Sequence, residues 1–358
     1  MVKIADYDFL LADDGPAAIV IREFLMPVEG PGGVVFPSTY AAGGTFKGGY
    51  NIDIDPSTNK KICLIDSVGS QANRIEPIFR MEKYRQLVPQ IVVEAGDREV
   101  SIFEAGHRAG DALFRCCELQ PEIDAAFRSV LKGNCQPIAK LAPTSLVFGV
   151  WDSRATQAKL PRIVASTIRA FDVHELTRSA VYIPPLDYSA LEVFTDEEKT
   201  KAEGDNKSPL AKRGFVHNPA SQAPGGVLVH GEIRRDATLQ LAALRHLHVY
   251  ADPDQTLTLR RYILGLSLVA FTAPPQSYLR QGCTLVRDPN ASHECVVVGV
   301  DGNRKTIDLS HDAMIAFAGL AAKGFGVGAD RTVQFQKELA SKDVKGDEKE
   351  KKGKAAKK

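Results

Sequence analysis

The sequence predicts an α+β fold, and three observations lead there. Short apolar runs bounded by Gly and Pro, as at residues 17–26 and 62–65, read as strands. Helical periodicity follows the second of them, with Val68, Ala72, Ile75 and Phe79 spaced by four, three and four. The order along the chain is strand, long loop, strand, helix, hairpin, helices and then more strands.

At 358 residues the chain has room for a large core, as one elaborated domain or two. The reading adopted is a single domain over residues 1–336, with insertions near 29–59 and 195–224. A formal net charge of +1 argues against nucleic-acid binding through bulk positive charge. Any such binding needs Lys and Arg segregated onto one face. Six cysteines with no Cys-x-x-Cys pair, and with Cys116 and Cys117 adjacent, fit neither a zinc site nor a disulfide framework. Reduced thiols in the cytoplasm are expected. The start Met-Val-Lys-Ile-Ala-Asp lacks a signal-peptide apolar core, and the longest apolar run, Ile263 to Ala273, is too short to span a bilayer. No membrane partner, cofactor or metal is expected.

Residues 17–26 form the first predicted strand, ended by Pro27. Glu29 to Tyr50 is Gly- and Pro-rich and reads as a long loop or irregular hairpin. Its Gly43-Gly44-Thr45-Phe46-Lys47-Gly48-Gly49 lacks the P-loop spacing. It is either a mobile surface loop or a loop tracking single-stranded nucleic acid through Lys47 and the aromatics. Ile62–Ile65 is a buried strand, Asp66 and Ser67 read as a helix N-cap, and a helix runs on to Phe79. Gln90–Ala95 and Glu99–Phe103 bracket a Gly96-Asp97 turn. Helical patterns follow at 106–116 and 121–131; His107 and Asp111 in the first read as a surface pair, since no third metal ligand is near.

Thr144–Val150 reads as a strong strand running into Trp151, the only tryptophan. Arg154, Lys159, Arg162 and Arg169 follow, interleaved with apolar residues, a pattern that suits phosphate neutralisation. Phe148 and Trp151 themselves read as core. Residues 195–224 turn polar and read as an exposed, mobile insertion. Gly225–Arg235 is a strand, Asp236 caps a helix to Leu247, and Leu257–Ala273 is an apolar helix. Strands near 283–286 and 295–300 precede a helix at 310–322. His230, His246 and His248 have no acid at a readable spacing. From 337 to 358 the Lys/Glu-rich tail is expected to be disordered.

The strand-to-helix unit at 60–79 carries the functional signal. Ser67, Ser70, Gln71, Asn73 and Arg74 surround the first turns of the helix, at the positive end of its dipole, where phosphate binds readily. Asp66–Glu76, with its Ser-Gln-Ala-Asn-Arg run, resembles the RAMP-type backbone subunit of type I-G (formerly I-U) CRISPR surveillance complexes, the seventh class of CRISPR-associated proteins. Thr144 to Val173 and Phe36-Pro37-Ser38-Thr39 resemble the same family, and the likeness covers most of residues 15–325.

The resemblance implies an RRM-like (ferredoxin-like) palm with thumb and finger insertions, the thumb being either 29–59 or 195–224. It implies no catalytic activity but a filament of copies along one CRISPR RNA, gripped through Ser67, Ser70, Gln71, Asn73 and Arg74. Lys47, Arg154, Lys159, Arg162 and Arg169 are further candidate RNA contacts. Target DNA would pair with the guide, and the other Cascade subunits would complete the complex. A metal-dependent RNase using Asp53, Asp55 or Asp152 is the alternative, although nothing in the sequence pairs two carboxylates.

Overall fold

The computed structural model describes residues 2–345. Strand β1 (Ala18–Pro27) is followed by three short strands, β2 (Thr39–Tyr40), β3 (Gly49–Tyr50) and β4 (Ile52–Ile54). Then come β5 (Lys61–Asp66) and helix α1 (Val68–Ile75), which continues as a 3-10 turn to Arg80. A hairpin of β6 (Ile91–Ala95) and β7 (Arg98–Ser101) leads into helices α2 (Ala112–Arg115), α3 (Gln120–Leu131), α4 (Gln136–Leu141) and α5 (Thr144–Phe148). A second hairpin, β8 (Val150–Trp151) and β9 (Lys159–Leu160), precedes β10 (Val164–Phe171).

Strand β11 (Val173–Tyr182) leaves the body, helices α6 (Asp196–Ala202) and α7 (Pro209–Lys212) follow, and β12 (Asn218–Val229) returns antiparallel to β11. After β13 (Ile233–Gln240) come α8 (Leu241–Arg245) and the long α9 (Pro253–Thr272). The chain closes with β14 (Tyr278–Arg280), β15 (Cys283–Arg287), β16 (Glu294–Val298), β17 (Arg304–Thr306), α10 (His311–Phe325) and β18 (Arg331–Gln334).

The main sheet runs β14-β15-β1-β13-β10-β5-β4, and every pairing in it is antiparallel. Strand β16 shares the edge of β1 with β15, covering Ala18–Arg22 while β15 covers Leu25–Pro27. Helical segments connect β1 to β10 and β13 to β15. On one sheet face, register lines up Ile19, Leu239 and Val164, then Ile21, Ala237 and Ser166, then Glu23, Arg235 and Ile168, then Leu25, Ile233 and Ala170.

The first row joins the larger core under α9 and α10, where the rings of Tyr262 and Phe325 stack 4.6 Å apart. The last row joins a smaller core with Cys63, Ile65 and Cys283. Between the two runs a polar seam: Glu23, Arg235, Ser166, Asp66 and Gln71 are all buried.

Four sequence expectations change. Thr144–Val150 is mostly helix α5 rather than strand; all five helical residues are buried. Apolar periodicity cannot separate a short buried helix from a buried strand. Asp236 sits inside β13, and only Leu241–Arg245 beyond it is helical. Residues 195–224 form α6, α7 and half of a β-ribbon, with a small core of Ala202, Ala211 and Val216. The capping box of Thr195 and Glu198 starts α6. Finally, residues 337–345 are helical, and Arg115 pairs with Asp343 at 2.9 Å; the rest of the predicted tail lies outside the described residues. All six cysteines are free, and five are buried. Among the described residues no helix is long and apolar enough to cross a membrane.

Candidate nucleic-acid interface

Helix α1 begins as the sequence predicts. Ser67 is the N-cap, its Oγ accepting from the Ser70 amide at 3.2 Å. Its hydroxyl also donates to Ser70 Oγ at 3.1 Å. The amides of Val68 and Gly69 precede the first intrahelical bond, as at every helix start. Beside Gly69 nothing but the Ser67 hydroxyl comes within 4 Å of where a side chain would begin, so this corner of the helix is open.

Asp66, fully buried, knots the inner side of the helix to the sheet. Its Oδ2 accepts from Gln71 Nε2 (2.7 Å) and Arg74 Nε (3.1 Å), and its Oδ1 accepts from Arg280 Nη2 (2.7 Å). Gln71 in turn accepts from the Ser166 hydroxyl at 2.9 Å. Gln71 is therefore a structural bridge and not a ligand contact, which corrects the expectation for it. Arg74 remains about a quarter exposed, and with Arg280 it leaves two positive charges around one carboxylate. Arg280 carried no sequence signal, since it lies more than two hundred residues downstream.

The outer side of the helix meets a second group. Asn73 is exposed, and its Oδ1 accepts from Arg108 Nη2 at 3.4 Å. Arg108 also donates to the Gly149 carbonyl at 3.3 Å. Arg162 Nε donates to the neighbouring Phe148 carbonyl at 3.1 Å. Gly149 ends α5 at φ +80°, with the Arg162 amide 3.1 Å from where its Cβ would stand, so a side chain is excluded on two grounds.

Just beyond, the β8–β9 hairpin pairs Trp151 with Lys159, whose Nζ lies 5.6 Å from the indole. Trp151 is 55% exposed, so the expectation that it is core is corrected; Phe148 is fully buried. Arg154 is exposed at the turn of this hairpin, beside a cleft also lined by Arg115, Asp124 and Asp343.

Asn73 is thus joined through Arg108 and Gly149 to the segment carrying Arg162 and to the β8–β9 hairpin with Lys159 and Trp151, and Ser67 and Ser70 open from the start of the same helix. Two candidates lie apart from this group. Arg169 is on the opposite face of the sheet, donating to Thr167 Oγ1 at 2.9 Å and lying across from Arg234. Lys47 is exposed in the loop between β2 and β3.

Of the acids proposed for metal chemistry, Asp53 is exposed on β4, while Asp55 and Asp152 are engaged locally. Asp55 accepts from the Ser57 amide and hydroxyl and from Thr58, and these bonds hold its carboxyl below the ordinary range. Burial pushes the Asp152 carboxyl up, but donors from Thr156 and Ala155 outweigh it and bring the group below its ordinary value. Among the described residues no three His, Cys, Asp or Glu side chains gather as a metal site. His107 Nδ1 lies 3.5 Å from Asp111, which caps α2.

Residues 19–175 match the family model described as CRISPR-associated protein GSU0053. Over that span, somewhat under half of its length, the chain is similar to this CRISPR-associated family. The match supports a role in CRISPR defence. It spans both segments that carry the resemblance, Asp66–Glu76 and Thr144–Val173, and stops at the base of the β11–β12 ribbon. A search of curated proteins finds no match.

Proposed function

We propose that this CRISPR-associated protein is the RAMP-type backbone subunit of a type I Cascade, resembling that of type I-G, and that it binds CRISPR RNA without catalysing a reaction. The observation that carries the reading is the edge built by α1 and the β8–β9 hairpin. It offers open helix-start amides, the hydroxyls of Ser67 and Ser70, the Asn73 amide, the cations of Lys159 and Arg162, and one exposed indole. Such groups hold phosphates and stack bases without reading sequence.

The fold supports the same reading. Strands β15 and β16, β1, β13 and β10, all antiparallel with two helical crossovers, follow the order of an RRM-like palm. The β11–β12 ribbon with α6 and α7 suits the thumb, because it leaves the body and exposes Val181, Tyr182, Ile183, Leu186, Leu191 and Val193. Copies stacked along the guide would cover that apolar surface, and paired target DNA and other Cascade subunits would occupy the remaining faces. The loop at 29–59 suits the thumb less well, since Val35 and Tyr50 tie it to the ribbon base at Val227 and Gly226. The RNase alternative loses ground because Asp55 and Asp152 each close their own turn.

The test is purification after co-expression with a CRISPR array, recording the 260/280 nm absorbance ratio and the mass by light scattering. The expected product is a large, RNA-laden oligomer. Asn73→Ala combined with Lys159→Glu and Arg162→Glu should remove the RNA while leaving the unfolding transition in place. A clean monomer that ignores guide RNA beside its partner subunits would sink the proposal. Target-RNA cleavage lost on replacing Asp55 and Asp152, with RNA binding intact, would favour the nuclease instead.

A further inference from the structure

Arg108 lies beneath the candidate interface, and its surroundings are unusual. Its backbone adopts φ +53°, a conformation that non-glycine residues enter at a cost. Its side chain is 3% exposed. Nε lies 2.7 Å from Glu76 Oε2, the guanidinium sits 5.3 Å from the Phe148 ring centre, and the remaining nitrogens reach Gly149 and Asn73. One side chain therefore joins α1 to the end of α5 and, through Gly149, to the segment carrying Arg162. By engaging the Asn73 carbonyl oxygen it leaves the amide nitrogen of that residue to point away, towards Gly106.

We propose that Arg108 is a positioning residue of this RNA interface and that RNA binding loads a proton onto Glu76. The inference rests on the RNA-binding reading above. Glu76 is as buried as Arg108 and has that guanidinium as its charged partner. The groups facing the pair are Thr144 from α5, Asn73 from α1 and Arg162 from the strand side; His107 and Asp111 flank Arg108 in the chain. Burial pushes the Glu76 carboxyl up to about 7, outweighing the pull of Arg108.

A phosphate held at Asn73 adds negative charge on the other side of the Arg108 guanidinium that bridges Asn73 and Glu76, and so favours the protonated carboxyl. The proton comes from solvent, and Arg108 keeps its own charge and its contacts with Gly149 and Asn73. Asn73 stays oriented throughout, because its contact is with Arg108 and not with Glu76.

The experiment is fluorescence anisotropy with a labelled single-stranded RNA from pH 6 to pH 8.5. Affinity should fall as pH rises, by about tenfold for each unit by which RNA raises the Glu76 titration. Glu76→Gln should bind throughout as the unmodified protein does at pH 6, with a flat profile. His107→Gln should keep the unmodified profile. A Glu76→Gln chain that retains the pH dependence, or a His107→Gln chain that loses it, overturns the proposal.

If Glu76→Gln does not fold, calorimetry of RNA binding by the His107→Gln protein at pH 7, in buffers of different ionisation enthalpy, decides. Proton uptake supports the proposal and its absence overturns it. For the positioning role, Arg108→Lys should cost RNA affinity and leave Asn73→Ala with little further effect; additive losses would overturn it. Failure of the unmodified protein to bind RNA at any pH removes the functional reading itself, whereas binding with a flat profile removes only this inference.

Discussion

Glu23 and Glu76 are both buried carboxylates facing a buried arginine, and they titrate in opposite directions. Burial pushes each of them up. At Glu23, Arg235 and Arg287 together overcome that push and hold the group below its ordinary range. At Glu76 the single partner Arg108 does not, and the group rises to about 7. Two things differ: Glu76 is packed more deeply, and Glu23 has an additional cation, Arg287 on β15, beside a cleft of about 550 Å³. The less deeply packed carboxylate with two arginines is a fixed structural charge, while the deeper one with a single arginine is left responsive near neutral pH.

The sharpest way to break the comparison is Glu23→Leu. It strands Arg235 in the seam, and equilibrium denaturation should show a loss of about 3–5 kcal/mol. Asp66→Ala, which strands Arg74 and Arg280, should fall in the same range of about 3–5 kcal/mol by the same assay.

Glu76 gives the next largest effect, with a defined sign. Its folded pKa is raised, so the folded state binds the proton more tightly than the unfolded one. Stability therefore falls as pH climbs from the ordinary carboxylate range to about 7, and is level above that. Across this window the contribution is on the order of 3 kcal/mol. Glu76→Gln should remove it, which paired urea titrations at pH 5 and pH 7.5 will show. Glu23 behaves in reverse: its contribution is complete at neutral pH and is lost only as pH drops through its lowered pKa.

Arg287→Ala should cost less, about 1 kcal/mol or below at neutral pH, because its side chain is 60% exposed. It should also move the acid-unfolding midpoint to higher pH, since Glu23 then has only Arg235. The smallest effect belongs to the ribbon. Val216→Ala removes part of a core made of three buried side chains, and should speed hydrogen exchange in α6 and α7 while leaving the global midpoint unchanged.

What could be read from the sequence was local. β5, the Ser67 cap and α1 follow from an apolar run, a capping hydroxyl and a three-four spacing, all within twenty residues. The Thr195 capping box was equally local and was hidden only by the polar composition around it. The misread Thr144–Phe148 is a burial problem: a helix buried on all sides has no amphipathic stripe to show. Gln71 illustrates the limit on the site itself. Its place beside Ser70 and Asn73 suggested a contact, while its fate was set by Ser166, ninety-five positions away. Arg280, Arg108 and the exposure of Trp151 depend on tertiary register in the same way, so α1 could be recognised without the groups that complete its surface.

The central strand β1 has a consequence for how the protein is made. Its sheet neighbours are β13, β15 and β16, the nearest of which begins roughly two hundred residues after β1 ends. A ribosome adding about 5–20 residues per second needs about 10–40 s to deliver them. Throughout that interval β1 is a nascent apolar strand with both edges unpaired, although the α1 unit and the helices before β10 have already emerged. Slower translation of the second half would prolong that exposure, so yield in a heterologous host should respond to chaperone supply more than to inducer strength.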